Sequence, residues 1–394
     1  MTVMHGLCGH HLYYDVGLAE VLDSRAGPLC RLLDSLTKPA PRLYVRVNTY
    51  RVSVGEYLDL LRSYGFNFYV DEEVGEAIWA PVEGPFKINI YDKVVVVDKR
   101  AAESILMGSD LYTPGVLDAK GVRRNDLVTI VSPRGVPVGS GVAVIDWDEA
   151  RRVGKGLFVR VTEHIYRAPR ISELPGIGEL AYGQAITSMY VARLLNPNPG
   201  EVIVDMTAAP GGKVSHVAQL TGPNALIVAI DRPSKVSKLS ETLTRMGLDW
   251  VKVIGGDSRY ASELLGSLAG RVDAVLLDPP CTDIGVIPKV EDSKRYADAL
   301  NMSEYQKQFI REAYRILKPG GRLVYSTCTL TDVENEAVVE YALSIGFELE
   351  DYDTKIYRGS LGDYGYVFTP HRDGTPGFFI SLKLVKRGGS SRRV

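Results

Sequence analysis

The sequence predicts an α/β protein: a doubly wound, mostly parallel sheet in its C-terminal half, preceded by a small α+β region and an inserted all-β barrel. Three observations predict it. From Glu201 onward, short β-rich runs alternate with amphipathic helical stretches, the pattern of parallel strands joined by crossover helices. Between about 87 and 167, runs such as KVVVVD, DLVTIVS and GSGVAVI are separated by Gly, Pro and Asn turns, which reads as a small barrel or sandwich. Ahead of it, RLYVRVNTY reads as a strand and SVGEYLDLLRSYG as a helix. The expected units are 1–86, 87–167 and 168–387, with residues 388–394 of the polar run RGGSSRRV a disordered tail.

A chain of 394 residues can bury two or three cores. No stretch approaches the roughly 20 apolar residues of a membrane span, and the N-terminus has no basic region followed by an apolar one. A cytoplasmic protein is therefore expected, without a membrane partner, and nothing implies an obligatory protein partner. In that compartment the four cysteines are expected to be free thiols. The net charge of −2 neither predicts nor excludes nucleic acid, because a basic groove can hide in a neutral total. The run MHGLCGHHL gathers His5, Cys8, His10 and His11, but their spacing matches none of the usual zinc patterns, so no metal site is expected.

In order, EVIVDM, ALIVAID, VKVIGGD, VDAVLLD and GRLVYST are the five strands of the C-terminal sheet. PSKVSKLSETLTRMG and SEYQKQFIREAYRILKPGG are connecting helices, the second stopped by its Lys-Pro-Gly-Gly end. After a helix in VENEAVVEYALSIG, the runs FELEDYD and GFFISLKLV lack an intervening helix and are expected to form an antiparallel pair at the end of the sheet.

The first strand runs into TAAPGGK, residues 207–213. Glycines there let the backbone approach a ligand as a helix begins, and the helix N-terminus offers free N–H groups. The run lacks the first Gly of a phosphate loop, Val214 follows the lysine, and no G-x-G-x-x-G is present, which disfavours a nucleoside triphosphate. Asp231 ends the second strand, where an acid commonly accepts from ribose hydroxyls. Asp257 follows the third, where an acid could meet an adenine amino group. An acid at one strand end is more often a solvated loop residue or a helix cap. Three loops at the carboxyl ends of neighbouring strands line the crevice where open α/β sheets bind ligands. S-adenosylmethionine, with adenosine at one end and a charged amino acid at the other, fits them. The binding set is Thr207, Ala208, Ala209, Pro210, Gly211, Gly212, Lys213, Asp231, Asp257 and Asp278, on a Rossmann-like class I methyltransferase fold.

Strands four and five end in DPPC and STC, placing Cys281 and Cys328 at the same crevice. Proline cannot donate to a ladder, so the fourth strand stops at Asp278. A free cysteine is most often a small buried hydrophobe within an apolar run; both of these lie just past a strand end. A thiol beside a methyl donor suggests pyrimidine chemistry. Carbon 5 of the ring is a poor nucleophile until a thiolate adds at carbon 6 and makes an enamine, which divides one hard step into easier ones. The thiolate is expected to be favoured by nearby positive charge, with Lys213 the candidate. Asp278 is placed to stabilise a ring protonated at N3.

Together TAAPGGK, Asp231, GGDSR, DPPC and STCT resemble the Fmu/Sun-type RNA (cytosine-5) methyltransferases. RVNTY at 46–50 resembles that family's N-terminal signature, and Gln184 matches the start of its helix leading into the catalytic sheet. The resemblance implies that Cys328 is the nucleophile and that Cys281 helps release the product. Thr207 stands where the family usually has cysteine, a change expected to be tolerated because mainly backbone faces the ligand.

DKRAAESILMGSDLYTPGVLDAKGVRRNDLVTIVS resembles a PUA domain, an RNA-binding barrel. Its insertion ahead of the catalytic domain resembles the branch that methylates cytosine 72 of the tRNA acceptor stem, in which the PUA domain holds the CCA end. The implied partner is tRNA, through that stem and end. Lys99, Arg100, Arg123, Arg124 and Lys155 are the candidate phosphate contacts, although any single one is as readily a solvated surface charge. Ribosomal RNA is the alternative substrate. A non-catalytic RNA-binding factor would not need two thiols at strand ends, and methyltransferases acting on amino groups need no nucleophile.

Overall fold

The computed structural model describes residues 6–352, 356 and 358–388; His5 and all but the first residue of the expected tail lie outside that set. The C-terminal sheet has the five expected parallel strands, in the spatial order Lys252–Gly255, Leu226–Asp231, Val202–Asp205, Val272–Leu277, Leu317–Thr327. The strand order reverses beside Val202–Asp205, which opens the crevice at the carboxyl ends. Successive side chains point to opposite faces. Ile203, Ala229, Ala274 and Leu276 pack one way, under the helices Ile186–Leu195, Gly212–Thr221 and Pro233–Arg245. Val204, Val228, Val275 and Leu277 pack the other way, against Tyr296–Ile316 and Glu336–Ser344.

The expected antiparallel pair forms: Phe347–Glu350 lies beside Lys383–Lys386. The run GFFISLKLV is broken at Leu382, however, and both halves pair with the long fifth strand. A further hairpin strand, Gly365–Phe368, extends the upper half.

The insertion is a six-stranded sheet in the order Leu111–Tyr112, Leu157–His164, Pro137–Ala143, Leu127–Val131, Lys93–Val97, Val116–Asp118. The reading of this span as all-β overlooked two helices, Lys99–Leu106 and Trp147–Val153. The first starts because the Asp98 side chain accepts from the Ala101 amide at 2.8 Å, an N-cap. It stays because Ala102, Ile105 and Leu106 share one face and bury it.

In the N-terminal region, Arg42–Val47 is the centre of a four-stranded sheet whose outer strand, Ala181–Gly183, comes from beyond the insertion. The following helix, Val54–Ser63, is opened by a capping box between Ser53 and Glu56. The first strand, Leu12–Tyr14, pairs in parallel with Asp292–Lys294, so the N-terminus is sewn to the catalytic half.

The expectation of four free thiols is corrected. Cys8 and Cys30 form a disulfide, and only Cys281 and Cys328 are free. Folding of the first two helices brings these residues to a Cα separation of 5.4 Å, a proximity that reasoning from compartment alone ignores. The bond also takes Cys8 out of the His/Cys cluster. No helix among the described residues is long and apolar enough to cross a membrane.

Candidate active site

The cofactor loop leaves the first strand at Asp205. This acid is 3% exposed, accepts from the Thr207 amide through one oxygen at 3.1 Å, and has no partner for the other. Burial pushes its carboxyl up to about 7. The Thr207 hydroxyl accepts from the Asp278 amide at 3.1 Å. Its side chain, not only its backbone, therefore ties the first strand end to the fourth. Gly211 sits at φ 115°, and a Cβ there would meet Thr242 at 3.0 Å. Gly212 then begins the helix, leaving its first N–H groups free.

Asp231 and Asp257 both line a cavity of about 280 Å³, together with Asp278, Cys281, Cys328 and Tyr305. Asp231 accepts from the Ala209 amide at 2.8 Å and so shapes the loop it faces. Asp257 caps the following turn and is pinned by the Arg259 guanidinium at 2.5 Å. That hydrogen bond lowers the Asp257 pKa despite burial. Arg259 in turn covers the Tyr305 ring at 4.9 Å, and Arg232 donates to the Tyr305 hydroxyl. Sequence reasoning missed this trio because Tyr305 lies on a distant helix. A free helix N-terminus, an unpartnered buried oxygen on Asp205 and two acids on the cavity wall fit a cofactor with adenosine and amino-acid ends.

Lys213 and Asp278 meet at 2.5 Å. Burial works to lower the lysine pKa, but the Asp278 carboxylate outweighs it and the ammonium is held. The other Asp278 oxygen accepts from Ser326 at 2.9 Å. Lys213 also lies 5.6 Å from the Phe378 ring, and Phe378 and Phe379 are both buried, on opposite faces of the sheet.

The thiols Cys281 and Cys328 lie 3.0 Å apart, Sγ to Sγ, unbonded, since a disulfide needs about 2.05 Å. Both donate to one oxygen of Asp283, Cys328 at 2.9 Å and Cys281 at 3.3 Å. The expectation of a thiolate favoured by Lys213 is not met in this state. For Cys281, the hydrogen bond to Cys328 and then burial raise the pKa well above the usual thiol value. For Cys328 the hydrogen bond from Cys281 lowers it, but burial and the Asp283 and Asp278 charges win and raise it.

Below the thiols, the buried Glu334 accepts from the Thr282 amide at 2.9 Å, the Thr282 hydroxyl at 2.5 Å and Thr331 at 2.8 Å. Gln306 bridges this acid to the Pro280 carbonyl. Sequence reasoning named none of these groups.

The RNA candidates differ in setting. Lys99 is drawn to Asp292 at 3.2 Å. Arg100 is exposed and lines a groove of about 720 Å³ between the Lys99–Leu106 helix, the 168–173 connector and Val286–Pro288. Arg123, Arg124 and Lys155 are exposed on loops of the six-stranded sheet.

With this geometry in place, comparison with known proteins is direct. The sequence profile described as 16S rRNA methyltransferase RsmB/F matches residues 192–384, and that of the PUA domain matches residues 93–165. The tRNA (cytosine(72)-C(5))-methyltransferase of Pyrococcus horikoshii is 37% identical over 90% of this chain and 92% of its own length. The mouse tRNA (cytosine(72)-C(5))-methyltransferase NSUN6 is 30% identical over 79% of this chain and 73% of its own. The crystal structure of NSun6 from Pyrococcus horikoshii with SFG, an S-adenosylmethionine analogue, superposes with a TM-score of 0.88 at 36% identity, covering 95% of this chain and 99% of that one. The chain therefore belongs to the S-adenosylmethionine-dependent RNA (cytosine-5) methyltransferases, in the branch that carries a PUA domain ahead of its catalytic sheet.

Proposed function

We propose that the protein methylates carbon 5 of cytosine 72 in the tRNA acceptor stem through a covalent adduct on Cys328. The observation that carries this reading is the thiol pair, 3.0 Å apart on neighbouring strand ends and on the wall of the same cavity as Asp278.

S-adenosylmethionine, when bound, supplies an electrophilic methyl group. Gly211 and Gly212 let the loop backbone approach it, and Asp231 and Asp257 hold its adenosine end. Cys328 adds to carbon 6 of the cytosine. Asp278, with Lys213 against it, holds N3 and the exocyclic amino group and stabilises the protonated ring, so carbon 5 becomes nucleophilic. Once carbon 5 is methylated, loss of its proton restores the double bond and expels the Cys328 sulfur, a step that Cys281 assists.

A stem base must be flipped out at a cost of a few kcal/mol, which fraying at a stem end reduces. The groove beside Arg100 ends at Val286–Pro288, directly after the loop that carries Cys281. It suits a single-stranded 3′ end passing from the PUA domain toward the thiols, with Arg123, Arg124 and Lys155 on phosphates. Ribosomal RNA is the second reading. Similarity to ribosomal RNA methyltransferases covers about half of the chain, 55% for the relative in Pasteurella multocida, whereas similarity to the tRNA enzyme runs over 90% of it.

The test pairs labelled S-adenosylmethionine with unmodified tRNA and rRNA transcripts, and uses Cys281→Ala on a denaturing gel. Methylated tRNA and a slow-migrating protein–RNA band that disappears in Cys281→Ala/Cys328→Ala are expected. Labelling of rRNA alone would replace the substrate; full methylation by Cys328→Ala would end the covalent route.

A further inference from the structure

We propose that Asp283 is the proton acceptor of the nucleophile: it takes the Cys328 proton as sulfur bonds to the base and returns it when the thiolate is expelled. This rests on the covalent route proposed above and names a catalytic group for it.

The geometry is specific. One Asp283 oxygen, Oδ1, lies 2.9 Å from Cys328 Sγ and 3.3 Å from Cys281 Sγ. Asp283 is exposed, and it lines the same cavity as both thiols and Asp278. Its backbone is left-handed, φ 57°, a conformation that non-glycine residues adopt rarely and at a cost.

Three fixed contacts hold it there. The residue before it, Thr282, is bound through amide and hydroxyl to the buried Glu334. The carbonyl of Asp283 itself accepts from Lys289 at 2.8 Å, and that lysine is 3% exposed. Two residues on, the Gly285 amide donates to the Cys328 carbonyl at 2.9 Å, locking the Cys281 loop to the strand that carries the nucleophile. A surface acid with no task would not need such a mount.

The charges around the thiols define the task. Lys213 is engaged by Asp278, Lys289 by the Asp283 carbonyl and by Asp292, and Glu334 lies beneath Thr282. Lys213 acts on Cys328 through charge but is hydrogen-bonded to Asp278, and burial with the neighbouring carboxylates still raises both thiols, which keep their protons at rest. A protonated thiol attacks poorly, so a base must stand at hydrogen-bond distance; Asp283 does.

The step balances. The S–H bond breaks and an O–H bond forms on Asp283 as sulfur bonds to carbon 6; the 5,6 pair moves to the C4–C5 bond, and the C4–N3 pair takes a proton at N3 that the Lys213 ammonium supplies through Asp278. On release the S–C6 bond breaks, its electrons return to sulfur, and Asp283 gives the proton back. The C5–H pair forms the restored 5,6 double bond, its proton passes to solvent, which reaches the cavity where Asp283 is exposed, and the N3 proton returns to the Asp278–Lys213 pair.

The test uses the full-length chain with Cys281→Ala as parent, and adds Asp283→Asn or Asp283→Gly; glycine suits the left-handed backbone. Single-turnover adduct formation with a tRNA transcript and S-adenosylmethionine is followed from about pH 6 to about pH 9, the span over which a thiol gains charge. Iodoacetamide labelling of Cys328 is measured alongside. Both variants are expected to form adduct about 10² to 10⁴-fold more slowly near neutrality, with a rate that climbs with pH where the parent's is flat. Labelling should be faster, because a negative neighbour is gone. Adduct formation as fast as the parent's, or faster, would overturn the proposal. Full methylation by Cys328→Ala would instead overturn the covalent route beneath it.

Discussion

Arg46 donates to Ser215 Oγ at 2.6 Å, joining the N-terminal sheet to the helix that follows the cofactor loop. The guanidinium is 0% exposed; the same nitrogen also donates to the Gly212 carbonyl, and the remaining two donate to Gln184 and Gln219. Burial lowers its pKa to about 9. The loop that approaches the cofactor is thus seated on a residue far outside the catalytic domain. Arg46→Ala should cost about 3 kcal/mol, the range for removing a buried charged group's hydrogen bonds. It should also weaken S-adenosylmethionine binding. Chemical denaturation and a cofactor titration check the two effects separately.

His216, beneath the same loop, predicts a pH dependence. It is 0% exposed and its Nε2 lies 2.6 Å from Glu76, which Arg193 also holds. The contact has the form of an ion pair, yet burial and the Arg46 charge lower the histidine pKa to about 4, so the neutral ring donates. The unfolded histidine gains a proton near 6.5, while the folded one resists. Stability is therefore complete above about pH 6.5 and falls toward pH 4, by at most about 3 kcal/mol. Glu76, whose pKa is also lowered, adds a loss below the ordinary glutamate range. Unfolding midpoints across pH check this, and His216→Gln should flatten the upper part of the curve.

Glu334 holds the segment after Cys281 through Thr282 and Gln306. Replacing it with Gln removes the charge and turns an N–H2 toward hydroxyls that now donate to the carboxylate, so the thiol loop is expected to shift. A misplacement of about 1 Å can cost about 10²-fold in rate. The expected signature is a lower kcat with unchanged cofactor affinity.

The exposed basic residues of the insertion predict a salt signature. Arg124→Ala and Lys155→Ala should each weaken tRNA binding across isoacceptors and reduce the slope of log K against log salt by about 1. Lys99→Ala should change the slope less, because that lysine is half-buried and already paired with Asp292 and Glu103.

What the sequence made legible was contiguous: the loop TAAPGGK, the acids at strand ends and the two cysteines all follow an apolar run that predicts their place. What it hid is made between distant segments. Asp283 is one acid among many until the fold sets it between two thiols. Glu334, Ser326 and Tyr305 each also reach a partner 48 or more residues away in sequence. The helix Lys99–Leu106 was masked by the valine runs and turns around it, and the Cys8–Cys30 bond by an argument from compartment.

The insertion is attached at both ends to one sheet. The chain leaves it after Ala77–Pro81 and returns at Ala181–Gly183, and on the way Glu83 and Arg167 bond backbone to backbone at 2.8 and 2.9 Å. A module on two short struts behaves as the arm of a caliper. If its far jaw grips the 3′ end of an RNA, the thiols fall at a fixed count of nucleotides from that end. The target is then chosen by measurement along the strand, and lengthening or shortening the overhang by one nucleotide moves a different base into the jaws.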